Sequence, residues 1–221
     1  MGHSCRRVRH GSTSRLPGSL IGRPMSAPNA LRRIGLFGGS FNPVHLAHLV
    51  VADAAFEELE LDRLFFIPAA QSPFKQGIAL APAALRLRML RLALAGQSHA
   101  EVDEQEIRRG GVSYAIDTVK DYARRYPMAE LFYLIGADHV AQLSKWRDAS
   151  GLAGLVQFAV IPRPDEPPVA APAAFRVRCL RGVPVGVSAS QIRGRVAAGL
   201  SIRWIVPSGV DEVIRQHRLY L

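Results

Sequence analysis

The chain has 221 residues, 48% of them hydrophobic, enough to bury one sizeable core, so a single folded domain is the expectation. No apolar run reaches the length of a membrane-spanning helix, and the two cysteines, Cys5 and Cys179, give no disulfide framework, which suits a reducing cytosol. The net charge of +10 is a poor argument for nucleic-acid binding, because half of it comes from five arginines within residues 1–29 that no acidic residue accompanies.

Residues 1–29 are rich in Gly, Ser and Pro, carry no apolar period, and read as a disordered basic tail. Their Arg- and Ser-rich, acid-poor composition is like that of an organelle transit segment. A plainer reading takes Met25 as the natural start and residues 1–24 as an upstream extension. The folded domain is expected over 30–221. Its first element is an apolar strand at 34–37, followed by Gly38 and Gly39, a polar turn with Ser40, Asn42 and Pro43, and a helix running from His48 to about residue 60. A second strand at 63–67 ends at Pro68 and leads into a Pro- and Gly-containing loop that reaches residue 81. A helix at 82–95, a short strand at 99–104 and an amphipathic helix at 113–125 follow. Then come an apolar strand at 130–135 ending in Gly136, short helical pieces over 138–153, strands at 155–161 and 175–180, and helices at 188–198 and 208–217. Strands alternating with helices predict an α/β fold, a Rossmann-like parallel sheet with helices on both faces. Ligands of such sheets bind beyond the carboxyl ends of the strands.

The chemistry concentrates in GGSFNPVHLAH, residues 38–48. Glycines let backbone approach an anion without a Cβ in the way. The helix N-terminus that follows offers free N–H groups and the positive end of a dipole. His45 and His48, three residues apart, share one helix face. The segment is therefore an array of donors aimed at an anion. It is neither a P-loop, since no lysine follows the glycines, nor a GxGxxG fingerprint. A zinc site is the rival, but HxxH lacks its usual third and fourth ligands here. Near the C-terminus, SASQIR places Ser188 and Ser190 at a helix start with Arg193 one turn inside, again a place for an anion.

GGSFNPVHLAH resembles the phosphate-binding signature of the nucleotidyltransferase superfamily, commonly GGxFDPxHxGH, with Asn42 replacing Asp and Ala47 replacing Gly. SASQIR resembles its second signature, ISSTxIR. PAAQSPFK, RLRML, RRGGVSYAIDT, LIGADHVAQLSKW and IPRP lie between them in that order. From Arg33 onward the chain is thereby similar to the bacterial nicotinate-nucleotide adenylyltransferase family. It departs at Phe74 (His in the family), Arg88 (acidic) and Ala115 (Thr). The resemblance implies an enzyme of NAD biosynthesis that transfers AMP from ATP to nicotinate mononucleotide, releasing pyrophosphate. It implies His45, His48 and Arg193 as catalytic residues. Gly38, Gly39, Ser40, Phe41, Gly136, Asp138, Ser188, Ser190 and Ile192 would hold ATP. Lys75, Tyr114, Ala115 and Trp146 would hold the mononucleotide, with Trp146 stacked on the pyridine ring and backbone N–H groups around Ser113–Ala115 and in the Lys75 loop taking its carboxylate. No protein-built metal site is expected, and Mg²⁺ would be carried mainly by the ATP phosphates. Asp117 and Arg109 are expected to do no more than join elements. Partners are ATP and the mononucleotide, without nucleic acid or membrane; a homo-oligomer is compatible with this, and the setting is cytoplasmic. Alternatives are a phosphopantetheine or nicotinamide mononucleotide adenylyltransferase, or a basic nucleic-acid-binding protein.

Overall fold

The computed structural model describes residues 31–74, 79–161, 171–183 and 185–221. The tail and Lys75 lie outside them. Six strands, β1 (Arg33–Gly39), β2 (Arg63–Pro68), β3 (Ala100–Val102), β4 (Glu130–Gly136), β5 (Gln157–Ile161) and β6 (Val177–Cys179), form one sheet. Its order is β3-β2-β1-β4-β5-β6, and every pairing is parallel. The helices are α1 (Leu46–Glu58), α2 (Ala83–Ala93), α3 (Gln105–Arg109), α4 (Ala115–Arg125), α5 (Ala149–Leu155), α6 (Ala189–Ala197) and α7 (Ser208–Gln216). A 3-10 helix, Ala137–Lys145, follows β4. Among the described residues no helix is long and apolar enough to cross a membrane.

The central strands β1, β2 and β4 are continuous apolar runs because both of their faces are covered. One face packs Phe37, Phe66, Phe132 and Leu134 against Ala52, Ala55, Leu90, Ile192 and Val213 of the α1, α2, α6 and α7 layer. The other packs Ile34, Leu36, Phe65 and Ile135 against Ile116, Val119, Tyr122 and Leu152. The buried residues of α1 are small: Ala52 and Ala55 pack in the core, and Ala47, in the first turn, lines the cavity beyond the end of β1. The chain runs outward from β1 to β3, then returns to β4 beside β1 and continues the other way. Strand order therefore reverses between β1 and β4, and the carboxyl ends of these two strands, Gly39 and Gly136, border the crevice.

Three details differ from the sequence reading. The strand expected over 99–104 stops at Val102, because the Asp103 carboxylate accepts the Gln105 N–H at 2.9 Å and turns the chain into α3, a helix too short to show a period. Leu155 closes α5 rather than opening β5, which begins at Gln157. The last strand is trimmed to Val177–Cys179, with Phe175 ahead of it buried against Phe158.

Candidate active site

Two cavities open at the carboxyl edge of the sheet and share Phe37, Gly39, Ser40 and Gly136. The larger, about 860 Å³, is lined by the β1–α1 turn, His45, His48, Ser188, Ser190 and Arg193. The smaller, about 310 Å³, is lined by Ser72, Phe74, Glu106, Tyr114, Ala115, Tyr133, Asp138, His139, Lys145, Trp146 and Arg147. The turn after β1, the loop after β2 and the turn after β4 meet here, as the positions of GGSFNPVHLAH, PFK and GAD behind their strands predict.

The turn owes its shape to packing. A Cβ on Gly38 would lie 2.5 Å from the buried Tyr133 hydroxyl, so only glycine fits. Phe41 sits in the left-handed region at φ 44, an unusual conformation for a side chain of its size. Its ring is buried edge-on against Phe37 at 5.6 Å and also meets Phe66 at 5.7 Å and His48 at 5.1 Å. That packing holds the residue in place. Phe41 thus shapes the phosphate turn from beneath.

His45 is the N-cap of α1 and His48 its third helical residue. The His45 backbone N–H donates to His48 Nδ1 at 3.3 Å, so the ring proton of neutral His48 sits on Nε2. The two rings overlap with centroids 3.8 Å apart. His45 is only 5% exposed, and burial lowers its pKa from 6.5 to about 4, which keeps it neutral near pH 7. His45 thus sits in the cavity wall as a neutral imidazole rather than as a fixed cation. Arg193 brings a permanent cation to the cavity; its guanidinium donates to the Asn42 carbonyl at 2.9 Å and to Ser190 Oγ at 3.2 Å. Ser188 caps α6, accepting the Gln191 N–H at 3.2 Å, while Gln191 Oε1 accepts the Ser188 N–H at 2.8 Å. Ile192 is not brought to the cavity with its neighbours. Its side chain is fully buried in the core, and its part in the motif is to seat α6 on the sheet.

The smaller cavity has an aromatic wall and a helix end. Trp146 stands on its wall within about 6 Å of Phe74, Tyr133, His139 and Phe158, and its indole N–H has no partner among the described residues. Tyr114 caps α4 and Ala115 is its first residue, so the start of this helix, with its backbone N–H groups, lies in the cavity wall. Ser113, whose backbone was also expected to contribute, does not: its N–H donates to the Gln71 carbonyl at 2.8 Å. Asp138 lies in the first turn of the 3-10 helix, whose cap is Gly136. Asp117 and Arg109 do join elements, Asp117 reaching Arg147 at 3.7 Å and Arg109 reaching Thr118 at 3.3 Å.

Three contributors were not singled out from sequence. Arg86, inside RLRML, is 2% exposed and holds backbone carbonyls beneath the turn. The signal was there: Arg86 lies on the same helix face as Met89 and Leu90, an apolar face where a lone cation needs partners. Glu106 is buried at the cavity floor, where it accepts the Thr118 hydroxyl at 2.6 Å and burial pushes its carboxyl pKa up. Arg147 stacks its guanidinium 4.6 Å above the Tyr114 ring, a contact between segments that no sequence pattern encodes.

A parallel sheet with a switch-point crevice, a histidine-bearing helix N-terminus and an arginine facing it across the cavity define a nucleotide-binding transferase of the α/β class. A cytidylyltransferase-like family model matches residues 36–195. A protein from Bordetella petrii, named as a probable nicotinate-nucleotide adenylyltransferase, is 44% identical over 200 residues, covering 86% of this chain and 100% of its own. One of the same name from Opitutus terrae is 40% identical over 191 residues, covering 85% and 97%. Among solved structures, the nicotinic acid mononucleotide adenylyltransferase of Plasmodium falciparum complexed with NaAD matches with a TM-score of 0.71 at 16% identity, covering 86% of this chain and 97% of that one. That likeness bears on the fold alone. The chain belongs to the cytidylyltransferase-like family and, within it, to the nicotinate-nucleotide adenylyltransferases.

Proposed function

We infer that this protein transfers AMP from ATP to nicotinate mononucleotide, giving nicotinate adenine dinucleotide and pyrophosphate, a step of NAD biosynthesis. The observation that carries this reading is the pair of cavities joined at Gly39, Ser40 and Gly136: one rich in donors for phosphate, the other flat-walled and aromatic with a helix N-terminus. The acceptor's phosphate is already ionised near neutral pH, so no strong protein base is required. The protein's task is to place that phosphate in line with the bond to the leaving pyrophosphate and to stabilise the charge that develops.

His48 Nε2–H, a His45 ring N–H and the α1 N-terminus would donate to the ATP phosphates, and Arg193 with Ser190 would hold the leaving portion. Because burial keeps His45 neutral, it would stabilise charge by a directed hydrogen bond and not as a second cation. On the acceptor side, Trp146 would stack on the positively charged pyridine ring. The first-turn N–H groups at Ala115 would take the ring carboxylate, and Ala115 contributes no hydroxyl to that contact. Among the described residues no three His, Cys, Asp or Glu side chains gather to hold a metal ion. Mg²⁺ would enter with ATP, whose phosphate oxygens would supply most of its ligands while the ion neutralises their charge. A cytoplasmic setting, where both nucleotides are made, fits this reaction.

The test is pyrophosphate release from ATP with a panel of acceptors: nicotinate mononucleotide, nicotinamide mononucleotide and phosphopantetheine. Release dependent on the first, with kcat/KM at least tenfold above the others, supports the reading. Preference for either of the others overturns it.

A further inference from the structure

A buried hydrogen-bond chain runs between the two cavities, and its centre is Arg86. The Arg86 guanidinium donates to three carbonyls from three segments: Ser40 at 2.8 Å in the donor-side turn, Ala69 at 2.8 Å in the loop after β2, and Ala81 at 3.1 Å ahead of α2. Among the described residues no carboxylate pairs with it. On the donor side, the Ala81 N–H donates to Asn42 Oδ1 at 3.0 Å, and the Asn42 carbonyl accepts from Arg193 at 2.9 Å. The Tyr220 hydroxyl also donates to Asn42 Oδ1, at 2.8 Å. On the acceptor side, the Ala70 N–H donates to Ser113 Oγ at 2.9 Å, one residue ahead of the α4 cap. Arg193 and Ser113 line opposite cavities, and the chain between them passes through the side chains of Asn42 and Arg86, of which Arg86 alone reaches the loop after β2.

We propose that Arg86 is a positioning residue that fixes the donor turn and the acceptor loop relative to each other, and so sets the distance between the acceptor phosphate and the α-phosphate. The proposal rests on the transfer reaction assigned above. The chemistry explains why an arginine stands here. A planar fork spans several carbonyls in fixed directions at once, whereas an ammonium is a point donor on a flexible stem. Backbone carbonyls, unlike carboxylates, leave the cation's charge intact beneath a turn that receives phosphate. Each substrate would still find its own donors if the fork were lost. What would fail is their mutual alignment, and displacement of a reacting group by about 1 Å costs on the order of a hundredfold in rate.

Arg86→Lys in the full chain tests this, with three measurements against wild type. These are kcat for pyrophosphate release at saturating substrates, calorimetric dissociation constants for ATP and for nicotinate mononucleotide separately, and the melting temperature. The expected result is a kcat lower by about 10–100-fold, with each dissociation constant within about threefold of wild type. A variant that melts lower but turns over normally when folded would show that Arg86 only supports the fold. A loss confined to the affinity for one substrate would show that it serves that site alone. Either result overturns the proposal. Should the lysine variant not fold, Ser113→Ala cuts the same chain at its acceptor end and carries the same expectation, a fall in kcat without a matching fall in either affinity; an unchanged kcat there counts against the proposal. A wild type that does not turn over nicotinate mononucleotide at all would refute the reaction instead, a result distinguishable from an unimpaired variant.

Discussion

His48 carries two roles that a pair of substitutions separates. Its Nδ1 accepts the His45 N–H at 3.3 Å, which secures the first turn of α1, and its ring lines the larger cavity, where the proposed reaction needs a donor to phosphate. His48→Ala removes both. Losing the accepted N–H at the helix start costs about 1 kcal/mol, which lowers the melting temperature by roughly 2–4 °C for a domain of this size. Losing a preorganised donor at a developing charge costs about 10²–10³ in kcat, or about 2.7–4 kcal/mol. His48→Gln distinguishes the two, because glutamine at the third helical position reaches back to the cap N–H as in a capping box. The glutamine variant should melt within about 1 °C of wild type, yet its kcat should stay lower by about a hundredfold, since its amide cannot sit where the imidazole Nε2–H does. The measurements are thermal unfolding and pyrophosphate release with ATP and nicotinate mononucleotide. A glutamine variant with the wild-type rate would refute the donor role. An alanine variant whose lost activity is fully explained by its unfolded fraction would do the same.

Three further outcomes are expected. Trp146→Ala should raise KM for nicotinate and nicotinamide mononucleotides alike, by about 3–30-fold as loss of a cation–π stack implies, and leave their ratio nearly unchanged; a collapsed ratio would mean that the indole shapes the carboxylate site. The His45 pKa is depressed by burial to about 4, so the unfolded chain binds a proton below pH 6.5 that the folded chain refuses. Stability should therefore fall as pH drops from 6.5 to 4, with His45 contributing up to about 1.4 kcal/mol per pH unit, and urea titrations of His45→Gln should show a shallower slope than wild type over that window. Asn42 is 3% exposed with its Nδ2 unpartnered, while Arg193 donates to its carbonyl and the Tyr220 hydroxyl to its side chain. Asn42→Asp removes the orphaned donor and places a carboxylate near that guanidinium, so it should raise stability by about 1 kcal/mol; a lower melting temperature would contradict this.

Much of the fold was legible because its signals are local. A glycine turn behind an apolar run, proline at the head of α2 and serine at the head of α6 fix element boundaries through backbone chemistry that each residue carries itself. The amphipathic pattern of α4 needed no partner to be read. What escaped depends on contacts between distant segments. Asp103 ends β3 through a side-chain hydrogen bond, and α3 is shorter than the period that would reveal it. The histidines, Arg193 and Trp146 could be placed at the cavities from sequence because their motifs are contiguous. Ser113 misled because a backbone N–H carries no sign of its partner, here the Gln71 carbonyl. Ile192 sits inside a phosphate motif yet faces the core, since a helix lying on a sheet must turn some residues of any segment inward. Arg86 bridges residues 40, 69 and 81, a juxtaposition that exists only once the sheet has formed.

The central claim is that two joined cavities align the acceptor's phosphate with the α-phosphate of ATP. The most direct measurement follows oxygen. Nicotinate mononucleotide carrying ¹⁸O in its terminal phosphate oxygens is converted with unlabelled ATP, and both products are read by mass spectrometry. Attack by the acceptor phosphate on the α-phosphate predicts that the dinucleotide keeps every labelled oxygen and that pyrophosphate carries none. Label in pyrophosphate, or loss of one labelled oxygen from the dinucleotide, would contradict the account.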